Sequence, residues 1–191
     1  MTSPEGFLAA RDRVFRNLFK EHQPTWPRVP TEDVVWGLVR MVLAQQVSTS
    51  VAVARAARVL QIAPEFSRGQ VDPGTAPDDV FRRSGATGRQ AMCCAMILRE
   101  RDRIREYSRF SDPDTHVLGI PGVGPWTIAC FRILVLRHED VLPSGDVGLE
   151  RAFHRQYGER ASLERRSRIW RPFRSVAVWH LWRSLGNTPL G

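Results

Sequence analysis

The sequence predicts an all-α protein. Apolar residues recur at three- and four-residue spacings in one segment after another, and no stretch alternates apolar and polar over strand length. Between the periodic segments, Pro, Gly, Ser and Asp cluster where helices start and stop. At 191 residues the chain can bury a real core and hold about eight to ten helices of ordinary length.

The first helix is expected over residues 5–20, where Phe7, Leu8, Val14, Phe15, Leu18 and Phe19 share helical spacing, with Asp12 and several arginines among them. Three prolines between His22 and Pro30 impose a linker or an extended crossing. Thr31 or Asp33 can cap the next helix, whose core face is Val35, Leu38, Val39, Val42 and Leu43. It ends at Ala44-Gln45-Gln46-Val47-Ser48-Thr49, and another helix runs on through Val53, Ala56, Ala57 and Leu60. Residues 62–79 read as loop. A short helix follows Val80. Then come a break at Ser84-Gly85-Ala86-Thr87-Gly88 and a longer helix through Met92, Ala95, Met96, Leu98 and Ile104. Met92, Met96 and the adjacent cysteines are expected to be core packing.

Ser111-Asp112-Pro113 begins the approach to Pro121-Gly122-Val123-Gly124, a tight hairpin whose glycines can take backbone angles closed to other residues. Pro125 suits the first turn of a helix carried by the periodic run from Trp126 to Leu136. Leu142-Pro143-Ser144-Gly145 breaks that run. Asp146 is placed to cap a helix over 147–157, and a last helix is expected from Leu163 onward.

The formal net charge of +8 and a pI near 10.8 suit a polyanionic partner. All but one of the 28 basic residues are arginine, Lys20 being the exception. Arg82, Arg83 and Arg89 either touch phosphate or form a solvated face. Cys93, Cys94 and Cys130 form no spaced ligand set, so zinc, a four-cysteine iron–sulfur cluster and a disulfide framework are not expected. No signal region opens the chain and no apolar run approaches membrane-spanning length. A soluble cytoplasmic protein is expected.

The hairpin followed by Asp146 resembles the helix-hairpin-helix DNA glycosylases, a base-excision repair superfamily. Two further segments match: WGLVRMVLAQQVSTSVA, and IWRPFRSVAVWHLWRSL near the end. The resemblance runs from about Thr31 to Arg183. It implies a two-lobed helical fold (the HhH-GPD fold), with a central bundle over 31–137 ending in the helix-hairpin-helix and a second lobe built from 1–30 plus 138–191. Damaged double-stranded DNA would lie across the cleft between them.

The same resemblance implies roles. Pro121, Gly122, Val123 and Gly124 would grip the DNA backbone through N–H groups and the positive end of the following helix. In the superfamily such a hairpin also holds a monovalent cation through backbone carbonyls; no side-chain metal site is implied. Gln46 would enter the gap left by a flipped-out nucleotide, with Gln45 structural at the same junction. Asp146 would stabilise the oxocarbenium-like sugar left by the departing base, and orient or deprotonate the attacking water.

Bifunctional members place a lysine where Trp126 stands. With Lys20 far from the motif, a Schiff-base lyase step is not expected, and the missing cysteine set removes the iron–sulfur branch. Trp126 makes the pattern similar to the 3-methyladenine DNA glycosylase II type, which removes alkylated purines, although no counterpart of the N-terminal β-domain of the full-length bacterial form is expected here. Trp126 and Trp182 match positions of its base pocket, where cationic bases stack on aromatic faces. Cys130 replaces a pocket tyrosine. Arg174 and Ser175 either support the active site or brace the last helix.

The first reading is therefore a monofunctional alkylpurine glycosylase, with no cofactor required, acting as a nucleoid-associated monomer. Two alternatives stay open. One is the same mechanism on hypoxanthine, uracil, ethenoadenine or an oxidised base, kept because of Cys130. The other is a non-catalytic DNA-binding module, against which Asp146 argues, since a carboxylate beside phosphates serves binding poorly.

Overall fold

The computed structural model describes residues 3–21, 33–109 and 119–186, and every regular element among them is helical. The helices are α1 (Pro4–Arg11), α2 (Arg13–Glu21), α3 (Val34–Leu43), α4 (Thr49–Ile62), α5 (Pro77–Arg83), α6 (Gly88–Arg99), α7 (Arg101–Tyr107), α8 (Pro125–Leu134), α9 (Val147–Tyr157), α10 (Leu163–Ser167) and α11 (Arg174–Ser184). Short 3-10 turns cover Pro64–Arg68 and Arg168–Trp170. None of these helices is long and apolar enough to cross a membrane. The linker expected at 22–30, Thr31 as a cap and the Ser111-Asp112-Pro113 approach lie outside the described residues.

The eleven α-helices among the described residues exceed the eight to ten expected because three continuous periodicities are interrupted. Asp12 takes an extended conformation (φ −138°, ψ 117°) and separates α1 from α2. Glu100 (φ −90°, ψ 17°) separates α6 from α7. Pro172, which cannot sit inside a helix, falls between the Arg168–Trp170 turn and α11.

The described residues form two compact units, one from 33–131 and one from 3–21 with 132–186; the division falls inside α8. In the first unit α3 is the central helix. Val35, Trp36, Leu38, Val39, Met41, Val42 and Leu43 are all buried, a helix apolar nearly all round. Asp33 caps it, accepting from the Val35 N–H at 2.9 Å, and is held by Arg105 Nη2 at 2.9 Å. Arg105 Nη2 also donates to the Arg68 carbonyl at 3.0 Å, so one guanidinium ties α7 and the first 3-10 turn to the start of α3. From α6, Ala91, Cys93, Cys94, Ala95, Ile97 and Leu98 pack inward, but Met92, expected in the core, is 59% exposed.

The second unit is assembled around the residue that splits its first helix. The Asp12 side chain is completely buried. Its Oδ2 accepts from Tyr157 Oη at 2.8 Å, Trp170 Nε1 at 2.9 Å and Arg166 Nε at 3.0 Å. Its Oδ1 takes Arg166 Nη2 at 3.0 Å and the Val14 N–H at 3.1 Å. Burial alone would raise the Asp12 pKa, but hydrogen bonds from Arg166, Trp170, Tyr157 and Val14 outweigh it and hold the carboxyl below its ordinary 3.8. Burial and the Asp12 carboxylate together push the Tyr157 phenol up. Leu8, Phe15, Leu18, Phe153, Trp170 and Leu181 close the apolar shell, with Phe15 edge-on to Trp170 at 5.4 Å.

Candidate functional site

The hairpin residues and Gln46 belong to the first unit, and Asp146, Arg174, Ser175 and Trp182 to the second. Each group is built from its own surroundings.

In the hairpin, Gly122 sits at φ +95°, and a Cβ there would come 3.0 Å from Cys93 Sγ. Both the angle and the space demand glycine. Gly124 is different: its φ is not in the left-handed region, and nothing lies within 4 Å of a Cβ built on it. The freedom expected at both glycines is used at one, while Gly124 contributes an open, exposed surface at the start of α8. Val123, expected to face phosphate with its neighbours, is buried, and its N–H donates to the Ile120 carbonyl at 3.0 Å. It is the apolar anchor of the turn. Pro121, Gly122 and Gly124 remain on the surface.

Gln45 fastens the α3–α4 turn to this hairpin, its Nε2 donating to the Gly122 carbonyl at 2.9 Å and to Thr127 Oγ1 at 2.9 Å. Gln46 follows it, exposed and at φ +59°. A non-glycine residue in the left-handed region is uncommon and persists where its surroundings over-determine it. The surroundings here are specific: Gln90 Nε2 donates to the Val42 carbonyl at 3.1 Å and the Gln45 carbonyl at 3.3 Å, closing the end of α3. A recess of about 330 Å³ opens beside the turn, lined by Gln45, Gln46, Arg55, Arg89, Cys93 and Gly122 among others. Arg82 packs beside Gly88, and Arg83 forms an exposed pair with Asp79 at 3.8 Å.

Asp146 caps α9. Its Oδ1 accepts from the Leu149 N–H at 2.6 Å and from Trp182 Nε1 at 3.4 Å, and the residue is only 7% exposed. Gly145, at φ +69°, turns the chain into the cap. A Cβ on Gly148 would approach Asp146 Oδ1 to 3.2 Å, so the glycine two residues on leaves room for the carboxylate. A carboxylate carries about four acceptor sites over two oxygens, so capping and chemistry are compatible. A shallow recess of about 440 Å³ along α9, lined by Gly145, Val147, Glu150, Arg151 and His154 among others, excludes Asp146.

Arg174 and Ser175 brace the loop leading to Asp146. Arg174 Nε meets Asp140 Oδ1 at 2.6 Å, and its Nη2 meets Asp140 Oδ2 at 3.0 Å and the Asp140 carbonyl at 2.9 Å. The Val141 N–H donates to Ser175 Oγ at 2.9 Å, and the Ser175 N–H to the Glu139 carbonyl at 2.9 Å. Of the two roles open from sequence, bracing has the direct contacts, and it braces the loop at 139–141 as well as α11.

Trp182 is 3% exposed against Asp146, and Trp126 is half-buried at the start of α8. Cys130, expected on the pocket wall, has no exposed surface and lies among the buried residues of α8. The Cys93 and Cys94 thiols are pushed up by burial, Cys93 to about 11, and stay protonated at neutral pH. Among the described residues no group of three or more His, Cys, Asp or Glu could hold a metal ion. Gln90 and Asp140 were not anticipated. The Thr87-Gly88-Arg89-Gln90 spacing of a capping box was the available signal for Gln90.

No protein-family model matches the chain. A curated relative from Mycobacterium tuberculosis, described as a probable bifunctional transcriptional activator/DNA repair enzyme AlkA, is 32% identical over 83% of this chain and 35% of its own length. The chain thus spans about a third of the length of the curated relatives it matches. Among solved structures, the Schizosaccharomyces pombe 3-methyladenine DNA glycosylase Mag1, in complex with abasic DNA, matches with a TM-score of 0.78 at 22% identity, over 97% of this chain and 98% of that one. A DNA-3-methyladenine glycosidase from Bacillus halodurans matches at 0.70 and 25% identity, over 96% and 90%. Both share this helical fold over nearly its whole length.

Proposed function

We propose that the chain is a member of the helix-hairpin-helix DNA glycosylase superfamily and acts as a monofunctional DNA glycosylase that hydrolyses the N-glycosidic bond of alkylated purines of the 3-methyladenine and 7-methylguanine type. The observation that carries the reading is Asp146, a buried carboxylate fixed by the Leu149 N–H and Trp182 Nε1 in the sequence position that the superfamily's catalytic aspartate occupies.

The reaction needs a negative charge beside the sugar as the base departs. A carboxylate already held in a water-poor site stabilises that developing cation without reorganising, and it orients the attacking water. An alkylated purine carries positive charge, leaves readily and stacks on indole faces, the role assigned to Trp126 and Trp182. Gln46 fills the gap left by the extruded nucleotide. The exposed hairpin at Gly122 and Gly124 and the arginines Arg55 and Arg89 meet backbone phosphates.

Lys20, the only lysine, closes α2. No lysine follows the hairpin in the sequence to attack the sugar, so in this reading the strand is left intact at an abasic site. No cofactor takes part in this reading. A monovalent cation at the hairpin would share carbonyls that already accept hydrogen bonds, Ile120's from Val123 and Gly122's from Gln45. The protein acts as a monomer on damaged duplex DNA in the cytoplasm, at the nucleoid.

Duplexes carrying 3-methyladenine, 7-methylguanine, ethenoadenine, hypoxanthine or uracil, treated with alkali after incubation, test the reading. Strand breaks at alkylated purines that require alkali are expected. Breaks without alkali would exclude the monofunctional mechanism, release of hypoxanthine or uracil alone would move the substrate class, and binding without any base release would leave a DNA-binding module.

A further inference from the structure

Gln90 is buried on α6, yet both ends of its amide are in use. The Oε1 accepts from the Thr87 N–H at 3.1 Å and from Arg55 Nη1 at 3.3 Å. The Nε2 donates to the carbonyls of Val42 at 3.1 Å and Gln45 at 3.3 Å. A primary amide offers two donor hydrogens and one two-lone-pair acceptor, so this side chain is saturated. Its two halves do different work. The acceptor half closes the N-terminus of α6 and engages α4; the donor half holds the last carbonyls before Gln46. One turn further along α6, Cys93 packs against Gly122 of the hairpin. Gln45 then joins the turn to the hairpin directly. Helix α6 therefore braces both surface turns, one through Gln90 and the other through Cys93.

We propose that Gln90 is a positioning residue for nucleotide extrusion: through its two carbonyl contacts it holds the α3–α4 turn so that Gln46 stays in its exposed left-handed conformation. The proposal rests on the gap-filling role given to Gln46 above. Without the donor half, the carbonyls of Val42 and Gln45 lose that shared partner, and the turn can relax to right-handed angles that withdraw Gln46. Gln90→Glu separates the halves. A carboxylate still accepts from Thr87 and Arg55 but cannot donate to the two carbonyls, and it sets oxygen against oxygen there. Thr87→Ala is the converse change, removing part of the α6 cap while leaving the donor half in place.

The test is single-turnover base release by the whole chain from an alkylated purine in two settings, fully paired and in a single-nucleotide bulge where the base needs no prising from the stack. Gln90→Glu and Gln90→Met should slow release from the paired site by about tenfold, the effect of one or two hydrogen bonds, and much less from the bulge. Thr87→Ala should leave the paired-to-bulged ratio near that of the unmodified protein. The loss should not add to that of Gln46→Ala, since both act on one step. Equal slowing in both settings, or full additivity with Gln46→Ala, overturns the proposal. Melting curves identify a variant that fails to fold; Gln90→Glu, which keeps the cap, then decides. If the unmodified chain releases no base at all, the function above fails first. The proposal is then judged by 2-aminopurine fluorescence beside an abasic analogue: unstacking by the unmodified chain that is lost in Gln90→Glu supports it. No unstacking by the unmodified chain, or none lost in the variant, overturns it.

Discussion

Asp146 is both a helix cap and the proposed catalytic group, and Asp146→Asn separates the two. Asparagine keeps an Oδ1 in nearly the same place, able to accept from the Leu149 N–H now 2.6 Å away and from Trp182 Nε1 at 3.4 Å. Asp and Asn are comparable caps, so folding stability should change by less than about 1 kcal/mol, a melting shift of at most about 4 °C in a chain of this size. Charge is what disappears. Losing a preorganised electrostatic stabiliser or a general base typically costs about 10²- to 10⁴-fold in rate, or about 2.7–5.4 kcal/mol of barrier. Asp146→Ala should show the same kinetic loss plus about 0.5–2 kcal/mol of stability from the missing cap. Single-turnover base release with protein in excess, beside thermal melts by circular dichroism, reads both quantities. An Asp146→Asn protein that melts normally and retains more than a tenth of the rate would show that Asp146 is a cap and nothing more.

Four further outcomes are expected. Gly148→Ala places a Cβ 3.2 Å from Asp146 Oδ1, so melting should hold or rise by the helix-propensity gain of up to about 1 kcal/mol while base release falls about tenfold; an unchanged rate would mean that the carboxylate position does not matter. Asp12→Ala breaks a fully buried hydrogen-bonded ion and should cost about 3 kcal/mol by denaturant titration, where a surface-like loss below about 1 kcal/mol would refute the hub. Because the folded-state pKa of Asp12 lies below its ordinary 3.8, its stabilisation is present above about pH 4 and lost as pH falls through the lower folded value; Asp12→Asn should therefore flatten the acid limb of melting temperature against pH. Gly122→Ala meets both a φ of +95° and Cys93 Sγ at 3.0 Å, so it should destabilise by at least about 1 kcal/mol, with Cys93→Ala in the same chain recovering only the Sγ share of the clash, since the Cβ at 3.2 Å remains.

The helical class and the hairpin-to-carboxylate block were legible because each leaves a local mark: apolar spacing, a Gly-x-Gly turn before Pro125, a capping Asp after a Pro-Ser-Gly break. What sequence could not reveal was which polar residues are turned inward. Asp12 looks like one more charge in an arginine-rich helix, and only the distant Tyr157, Arg166 and Trp170 make it a buried anchor. Gln90 left a readable capping-box spacing, but its reach to Val42 and Gln45 depends on how α6 packs on α3. Glycine at 124 and cysteine at 130 looked alike in importance to their neighbours, yet one faces open space and the other is sealed in α8. Local pattern shows where a turn must be; burial is a property of the assembled chain.

The Asp12 hub also sets an order of events at the ribosome. Its side-chain partners arrive 145 to 158 residues later in the chain. At synthesis rates of about 5–20 residues per second, that is a wait of roughly seven to thirty seconds. The unit spanning 33–131 is contiguous and can complete its own core in that interval. During it, α2 carries Phe15, Leu18 and Phe19 without their partners and a carboxylate without its donors. Helices α1 and α2 are therefore the segment most in need of shelter while the polypeptide emerges, and they become native only after the residues up to Trp170 have been made.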